Sequence, residues 1–509
     1  MNLPSEINRL RRKSEAAWGR FDYEKSAELL RQAQKLSPKD PRLLLDLGYQ
    51  SGLRYDYATA TDYFEKAIRL SGWQTAAFTV AGLHCLNFSQ PDLARGYFER
   101  ALKKYPDAVD ILVPLARIYE RAGRLDEAEE FATRAVRLAP GNKPALRVQA
   151  LVLRRRNRLA EAEAILRPVA GQPDADFWAV AQIWYELGFN LDRQARYDEA
   201  MTAFCQAKKI LLTVTEKEYA LQQSRQRKVA LDAETVTTEM LQQFRAAGGH
   251  LQPLGRLAFL SGHPRSGTTL LEQVLDAHPD AVSLEETTLF TDDVYGPLTG
   301  GNPEHDRLAW FEKIPTAQLL PVRQNYFALA EKFLHQPIGN RLVLDKNPSL
   351  TIRFPAIARV FPEARFIVAL RDPRDVCLSC FMQAQPPTAF SSAYLDLGRM
   401  VHEYSVVMGF WLALRDQMAA PWLEIRYEDM VADLAAVSRR TLDFLELPWD
   451  DRVLAFHQHA RGKIVRSPTY SEVGQPIYQT AKGRWRHYQQ YFEPHLAKLE
   501  PFVRAFGYE

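Results

Sequence analysis

The densest chemistry in the chain lies between residues 257 and 271, Leu-Ala-Phe-Leu-Ser-Gly-His-Pro-Arg-Ser-Gly-Thr-Thr-Leu-Leu. An apolar run reads as a strand, Gly262 and Gly267 bracket a loop, and an amphipathic helix follows. Successive amides of such a loop, with a helix N-terminus behind them, form a cradle for a phosphate. The spacing is that of a Walker A loop except that Thr268 stands where the lysine belongs. That lysine contacts the β- and γ-phosphates, so its absence argues against ordinary ATP or GTP hydrolysis. The cation inside this loop is Arg265 instead, which makes Arg265, Ser266, Gly267, Thr268 and Thr269 the candidate anion-binding residues. A second cationic cluster runs from Arg371 to Ser379 behind the apolar run 365–370. Arg371 leaves that run at its C-terminal end, where open α/β sheets bind their ligands. Its guanidinium is a planar fork of donors suited to a phosphate. Lys346, in Leu-Asp-Lys-Asn-Pro, stands at another strand end and is expected to reach the same cleft.

The elements that must position these residues fall into two textures. Before residue 212 a pair of small residues recurs seven apart with a large one between: Ala60/Phe64/Ala67, Ala94/Phe98/Ala101 and Ala200/Phe204/Ala207. Ala128/Ala135, Ser26/Leu30/Ala33 and Ala162/Leu166/Val169 are weaker versions, so the starts at 26, 60, 94, 128, 162 and 200 are spaced by 34, 34, 34, 34 and 38. Gly82, Ala116, Ala150 and Gly188 sit twelve residues before later starts, and Pro38, Pro106 and Pro140 twelve after others. A 34-residue period, with small residues where helices touch and proline at the exit, is the tetratricopeptide signature. Beyond Gly248, Gly249 and Pro253, short β-rich runs alternate with helical patterns: 256–260, 281–284, 341–344, 365–370 and 422–426. That alternation indicates a parallel sheet. The expected fold is an α-helical solenoid of tetratricopeptide repeats followed by an α/β P-loop-like domain with a central parallel sheet. Residues 1–212 are expected as the repeats, 213–254 as a helical linker and 255–509 as the second domain. The repeats, contacting mainly their neighbours, are expected to fold without the rest.

The second domain resembles a known family at particular residues. Pro264-Arg-Ser-Gly-Thr-Thr-Leu270, Asp276-Ala-His-Pro-Asp280 and Glu285-Glu-Thr287 are similar to the opening of protein-tyrosine sulfotransferases and their bacterial relatives. Lys346, then Arg371 with Ser379, continue the match. Gln475-Pro-Ile-Tyr478 and Gly483-Arg-Trp-Arg486 are similar to bacterial sulfotransferases that carry tetratricopeptide repeats. The resemblance implies transfer of a sulfuryl group from 3′-phosphoadenosine 5′-phosphosulfate (PAPS) to an acceptor hydroxyl. On that pattern Arg265 to Thr269 cradle the 5′ side of PAPS, and Arg371 and Ser379 hold the 3′-phosphate. Glu286 is the general base, while Lys346 and Arg265 stabilise charge on the transferred group and the leaving phosphate. Tyr427 is a nucleotide contact and Ser467 a hydroxyl that steadies the leaving group. Glu285 is expected to point away from the cleft by strand alternation. The sequence departs from the tyrosine enzymes at Thr288, where they have an arginine, at Gln383, where they have a second basic donor contact, and at Gln475, where they have lysine; Gly474 stands where the bacterial relatives often have arginine.

Composition limits the partners. Lys+Arg number 65 and Asp+Glu 62, a net charge of +3 that gives no reason to expect nucleic acid. Four cysteines in 509 residues exclude a disulfide framework and favour a reducing, cytoplasmic setting. The N-terminus shows no secretory h-region, and the longest apolar run, 405–414, is about half the ~20 residues a membrane span needs. The eleven histidines show no ligand spacing, so no metal is expected. Cys377-Leu-Ser-Cys380 lies inside the second cationic cluster and lacks a second pair for zinc. Arg154-Arg-Arg-Asn-Arg158 falls at a bend between repeat helices and reads as a solvated turn. A peptide, glycan, lipid or small phenol would each fit as acceptor; a concave repeat surface suggests a peptide or protein without demanding one, and a homodimer is compatible with the sequence. Two other readings remain at this point: a catalytically inactive nucleotide-binding scaffold acting through its repeats, and a P-loop phosphotransferase.

Overall fold

The computed structural model describes residues 3–249, 251–302, 305–461 and 481–508. Ser467, Gly474 and the 475–478 motif lie outside the described residues.

From Leu3 to Leu212 the chain forms twelve helices in successive pairs, such as Pro41–Leu53 with Tyr57–Leu70 and Thr75–Asn87 with Pro91–Lys104. The small–large code of the sequence is the packing inside each pair. A Cβ on Gly48 would lie 2.5 Å from the Phe64 ring, on Gly82 2.4 Å from Phe98, and on Gly188 2.6 Å from Phe204. All three phenylalanines are fully buried. The first helix of a pair must lack a side chain where the second inserts a ring. The exits also follow the sequence: helices end at Leu36, Lys104 and Leu138, just before Pro38, Pro106 and Pro140.

Two compact units form, and they do not follow the expected divisions at 212 and 254. One contains Met1–Pro140 and Thr288–Pro337; the other contains Gly141–Thr287 and Ile338–Glu509. In the first, the Tyr23 hydroxyl donates to the Asp292 carbonyl at 3.0 Å, and Arg54 pairs with buried Asp293. Arg54 also lies 4.2 Å over the Tyr23 ring. An insertion of the second sequence domain is thus built into the first unit. In the second unit, segment 213–254 is two helices, Glu216–Thr235 and Thr238–Gly248. It is packed rather than a free tether: buried Gln222 and Gln226 both donate to Glu403 Oε2, at 2.9 and 2.6 Å.

The second unit carries a five-stranded sheet of order β2-β3-β1-β4-β5 with every neighbouring pair parallel. The strands are β1 Arg256–Gly262, β2 Ala281–Ser283, β3 Leu342–Lys346, β4 Arg365–Leu370 and β5 Trp422–Arg426. Alternation sorts the two faces. Ala258, Leu260, Leu342, Leu344, Ile367 and Ala369 pack with Leu271, Val274 and Leu275 of the helix Thr268–Asp276. Opposite them, Phe259 stacks 6.2 Å from Phe366, which lies 4.7 Å from Phe354. Both faces are covered, as parallel sheets require. β1 sits where strand order reverses, between β3 and β4, and its C-terminal end is the natural cleft.

Candidate active site

Every sequence-expected site residue within the described residues lies at or just beyond the C-terminal end of a strand or on the helix that follows. β1 continues to Gly262, which adopts φ 142° and could not bear a side chain, since its Cβ would meet the Ala369 carbonyl oxygen at 2.4 Å. The loop then holds Arg265 at φ 73° and Gly267 at φ 90°. A left-handed non-glycine residue costs about 1–3 kcal/mol and persists where surroundings impose it. Here the Arg265 Nε donates to Ser379 Oγ at 2.9 Å. Gly267 is the N-cap of the helix Thr268–Asp276 and provides no side-chain cap. A Cβ there would meet the Tyr427 ring at 2.8 Å. Tyr427, one residue past β5, therefore packs directly on the loop, with the Arg371 guanidinium 5.0 Å from its ring.

Arg371, one residue past β4, has Nη2 donating to the Ala481 carbonyl at 2.5 Å and Nη1 to the Arg265 carbonyl at 3.3 Å. Its Nε is buried with no hydrogen-bond partner. Asp375 is no close mate for it, at 3.9 Å; that carboxylate accepts the amides of Gly483 and Trp485 at 2.7 and 2.8 Å. Asp372 pairs with Arg374 instead, at 2.7 Å. The two cationic clusters, expected as separate poles, touch through Arg265, Ser379 and Arg371.

Lys346 ends β3 and is 2% exposed at its side chain, between two carboxylates: Glu286 Oε1 at 2.7 Å and Glu272 Oε2 at 2.9 Å. Burial opposes its charge, but Glu272 and Glu286 outweigh it and hold the ammonium above the usual lysine range. Glu286 follows β2 and keeps 32% of its side chain exposed. Glu272 is fully enclosed; burial pushes its carboxyl up to about 7 against the pull of Lys346. Its other oxygen accepts from Ser283 Oγ at 2.5 Å. The arrangement pairs a wet carboxylate, able to meet a substrate, with a buried cation beside it.

Some expectations need correction and two residues were missed. Glu285 does not continue a strand: β2 stops at Ser283 and Glu285 turns at φ 51°, so alternation does not direct it away, and its charge raises the Glu272 carboxyl. Glu272 was missed because an acid in an amphipathic helix reads as a solvated face. Lys208, on the repeat helix Tyr197–Leu212, was missed for the same reason. It is buried, with Nζ 3.4 Å from the Gln383 carbonyl and 5.0 Å from the Phe381 ring, and burial pulls it down to about 7. Its charge stands beside the position where the tyrosine enzymes have a basic donor contact. Cys377 and Cys380 are buried, and burial pushes both thiols up, Cys380 to about 12. That leaves little thiolate for redox work.

Residues 258–451 match the sulfotransferase family, and residues 81–143 and 181–210 match tetratricopeptide repeats. An uncharacterised protein of Aquifex aeolicus (strain VF5) is 25% identical over 428 residues, covering 80% of this chain and 52% of that protein, so the chain spans about half of its length. Protein-tyrosine sulfotransferase 1 of Danio rerio is 27% identical over 264 residues, 50% of this chain and 72% of the relative. Among solved structures, the sulfotransferase domain of the Synechococcus PCC 7002 olefin synthase aligns at 23% identity and TM-score 0.38, over 51% of this chain and 97% of that one. With the loop, the strand-end cations and the repeat packing in hand, the chain carries a sulfotransferase-family domain alongside tetratricopeptide repeats.

Proposed function

We propose that this chain moves the sulfuryl group of PAPS onto an acceptor hydroxyl, with Glu286 as general base. The observation that carries the reading is the Glu286–Lys346 contact of 2.7 Å at adjacent strand ends, beside a loop built to take an anion. The residues fit a doubly anionic donor. The orphaned, buried Nε of Arg371 gives a 3′-phosphate a charged donor. The uncapped helix at Gly267, with Thr268 and Thr269, offers amides to a 5′-phosphate, and Ser266, whose amide donates to the His263 carbonyl at 3.1 Å, adds its hydroxyl. PAPS, when bound, supplies an activated sulfuryl group on a good leaving phosphate. Glu286 takes the hydroxyl proton as the acceptor oxygen meets sulfur, and Lys346 and Arg265 offset negative charge on the groups that separate. Ser467 is assigned to the leaving group by resemblance alone.

A peptide or protein acceptor is favoured by the repeats, whose class binds extended partners, and by the Danio relative, named as a protein-tyrosine sulfotransferase. The four cysteines, all free, support a cytoplasmic enzyme. No helix among the described residues is long and apolar enough to cross a membrane.

Incubating the protein with sulfur-labelled PAPS and cell extract tests the reading, with the labelled species identified by mass spectrometry. Glu286→Gln keeps size and removes basicity, so turnover should fall about 10²–10⁴-fold while donor affinity stays within a few-fold. Transfer that persists at the wild-type rate in this variant removes Glu286 as the base.

A further inference from the structure

A lysine needs one carboxylate to stay charged in a protein interior, yet Lys346 has two, and they are unlike. Glu286 is reachable from solvent, whereas the Glu272 side chain is 2% exposed and stands on the helix behind the anion loop, one turn past Thr268 and Thr269. Both oxygens of Glu272 are engaged, Oε2 by Lys346 at 2.9 Å and Oε1 by Ser283 Oγ at 2.5 Å. The same Ser283 hydroxyl accepts the Glu285 amide at 2.9 Å, so one small network ties Glu272 to the turn that presents Glu286. Burying an ionisable acid this completely is costly unless its charge is used. The charged groups around it are Lys346 from β3 and Glu285 and Glu286 from the turn after β2.

We propose that Glu272 is a positioning residue for sulfuryl transfer, keeping Lys346 charged and in place when Glu286 becomes protonated. The proposal rests on the sulfotransferase reading above. During transfer the acceptor oxygen bonds to sulfur and its proton passes to Glu286. The bond from sulfur to the bridging phosphate oxygen breaks, and its electron pair remains on that phosphate. Glu286 thereby loses the charge that held one side of Lys346, at the moment a new anion appears on the leaving phosphate. Lys346 has three N–H donors. Those that faced Glu286 turn to the leaving group, while Glu272 retains the other side of the ammonium. Without Glu272, Lys346 would depend for its charge on the very carboxylate that the reaction neutralises. Burial drives the Glu272 carboxyl up to about 7, and Lys346 together with the Ser283 hydroxyl opposes that rise.

Glu272→Gln preserves shape and the contact with Ser283 but removes the charge. Its kcat should fall 10- to 100-fold with the donor dissociation constant within about three-fold of wild type, and the alkaline limb of the kcat–pH profile should move to lower pH. Should Glu272→Gln fail to fold, Ser283→Ala is the second variant: it loosens Glu272 without changing charge, and should show the same displacements at smaller amplitude. A second readout needs no catalysis. In protein carrying ¹³C at lysine Cε, with the signal assigned by its loss in Lys346→Met, Lys346 should titrate at lower pH in Glu272→Gln than in wild type. An unmoved Lys346 titration, or equal losses of kcat and donor affinity with an unmoved pH limb, would overturn the proposal and leave Glu272 a packing residue. A wild type that transfers no label instead overturns the sulfotransferase reading, while the titration still decides whether Glu272 holds the ammonium.

Discussion

Arg371 meets the cleft with both terminal nitrogens donating to carbonyls and its Nε–H buried without a partner. A buried guanidinium donor without a partner costs free energy until something fills it, which suits the proposed contact with a 3′-phosphate. Arg371→Ala should therefore weaken 3′-phosphoadenosine 5′-phosphate by roughly 1.5–3 kcal/mol, the range for a hydrogen bond to a charged group. Adenosine 5′-phosphate, lacking the 3′ group, should lose much less; equal losses in calorimetry would remove Arg371 from the 3′ site. Lys208 poses the opposite problem, a cation enclosed with one weak polar contact, and burial holds it near 7 against an ordinary 10.5. The folded chain then binds fewer protons than the unfolded chain between those two values, so this group makes stability rise with pH across that window. At and below pH 7 the burial cost is fully present. Lys208→Met should accordingly melt above wild type at pH 7, and the gap should narrow toward pH 10. A constant gap across that range would mean that the ammonium is satisfied where it sits.

Helix pairs and strands show which parts of the fold the sequence discloses. Strands β4 and β5 have the bounds their apolar runs predict, because nothing at their ends competes with the alternation. β1 and β3 run two residues further than expected. Ser261 and Gly262 read as loop formers, yet they pair with Val368 and Ala369 of β4; Asp345 and Lys346 read as a polar exit, yet they pair with Phe259 and Leu260 of β1. Tertiary pairing overrides local propensity there, and the carboxylates around Lys346 make a charged strand end tolerable. The strand–loop–helix shape from Gly262 to Thr268 was legible because glycine spacing encodes backbone conformation. Glu272 was not, since its partner is distant in sequence and only the parallel sheet brings β3 beside the loop helix. Glycines in the repeats separate packing from mere flexibility. Gly82→Ala forces a methyl into the buried Phe98 ring, 2.4 Å away, and should destabilise by about 1–3 kcal/mol through overpacking. Gly96 lies inside the helix Pro91–Lys104, and a Cβ on it would meet nothing within 4 Å. Gly96→Ala should therefore stabilise by about 0.5–1 kcal/mol. Denaturant midpoints of the two variants should move in opposite directions, and a common direction would break the small–large account of the repeat.

At the scale of the whole molecule, sequence period and compact unit part company. A period records which neighbours resemble one another, whereas a unit records which surfaces bury one another. The chain passes from one unit to the other just after Glu286 and Thr287, and returns at Ile338. Several polar groups of the helical half are satisfied only by residues late in the chain. Gln222 and Gln226 need Glu403, Tyr219 stacks 3.7 Å from the Arg399 guanidinium, and Asp192 accepts the Tyr488 hydroxyl at 2.6 Å and pairs with Arg484. Tyr23 and Arg54 similarly need Asp292 and Asp293 from the insertion. A fragment ending at residue 245 keeps every repeat and loses all of these partners. The sequence expectation of an autonomous repeat domain predicts native protection in that fragment. The structure predicts the reverse for its C-terminal half: in hydrogen exchange, the helices Phe177–Arg193 and Glu216–Thr235 should be protected in the full chain and exchange rapidly in the fragment. Thr75–Asn87 and Pro91–Lys104, which bury their faces mainly on adjacent repeat helices, should keep most of their protection in both. If Glu216–Thr235 stays as protected in the fragment as in the full chain, its stability is local, and residues 1–245 are an independent folding unit after all.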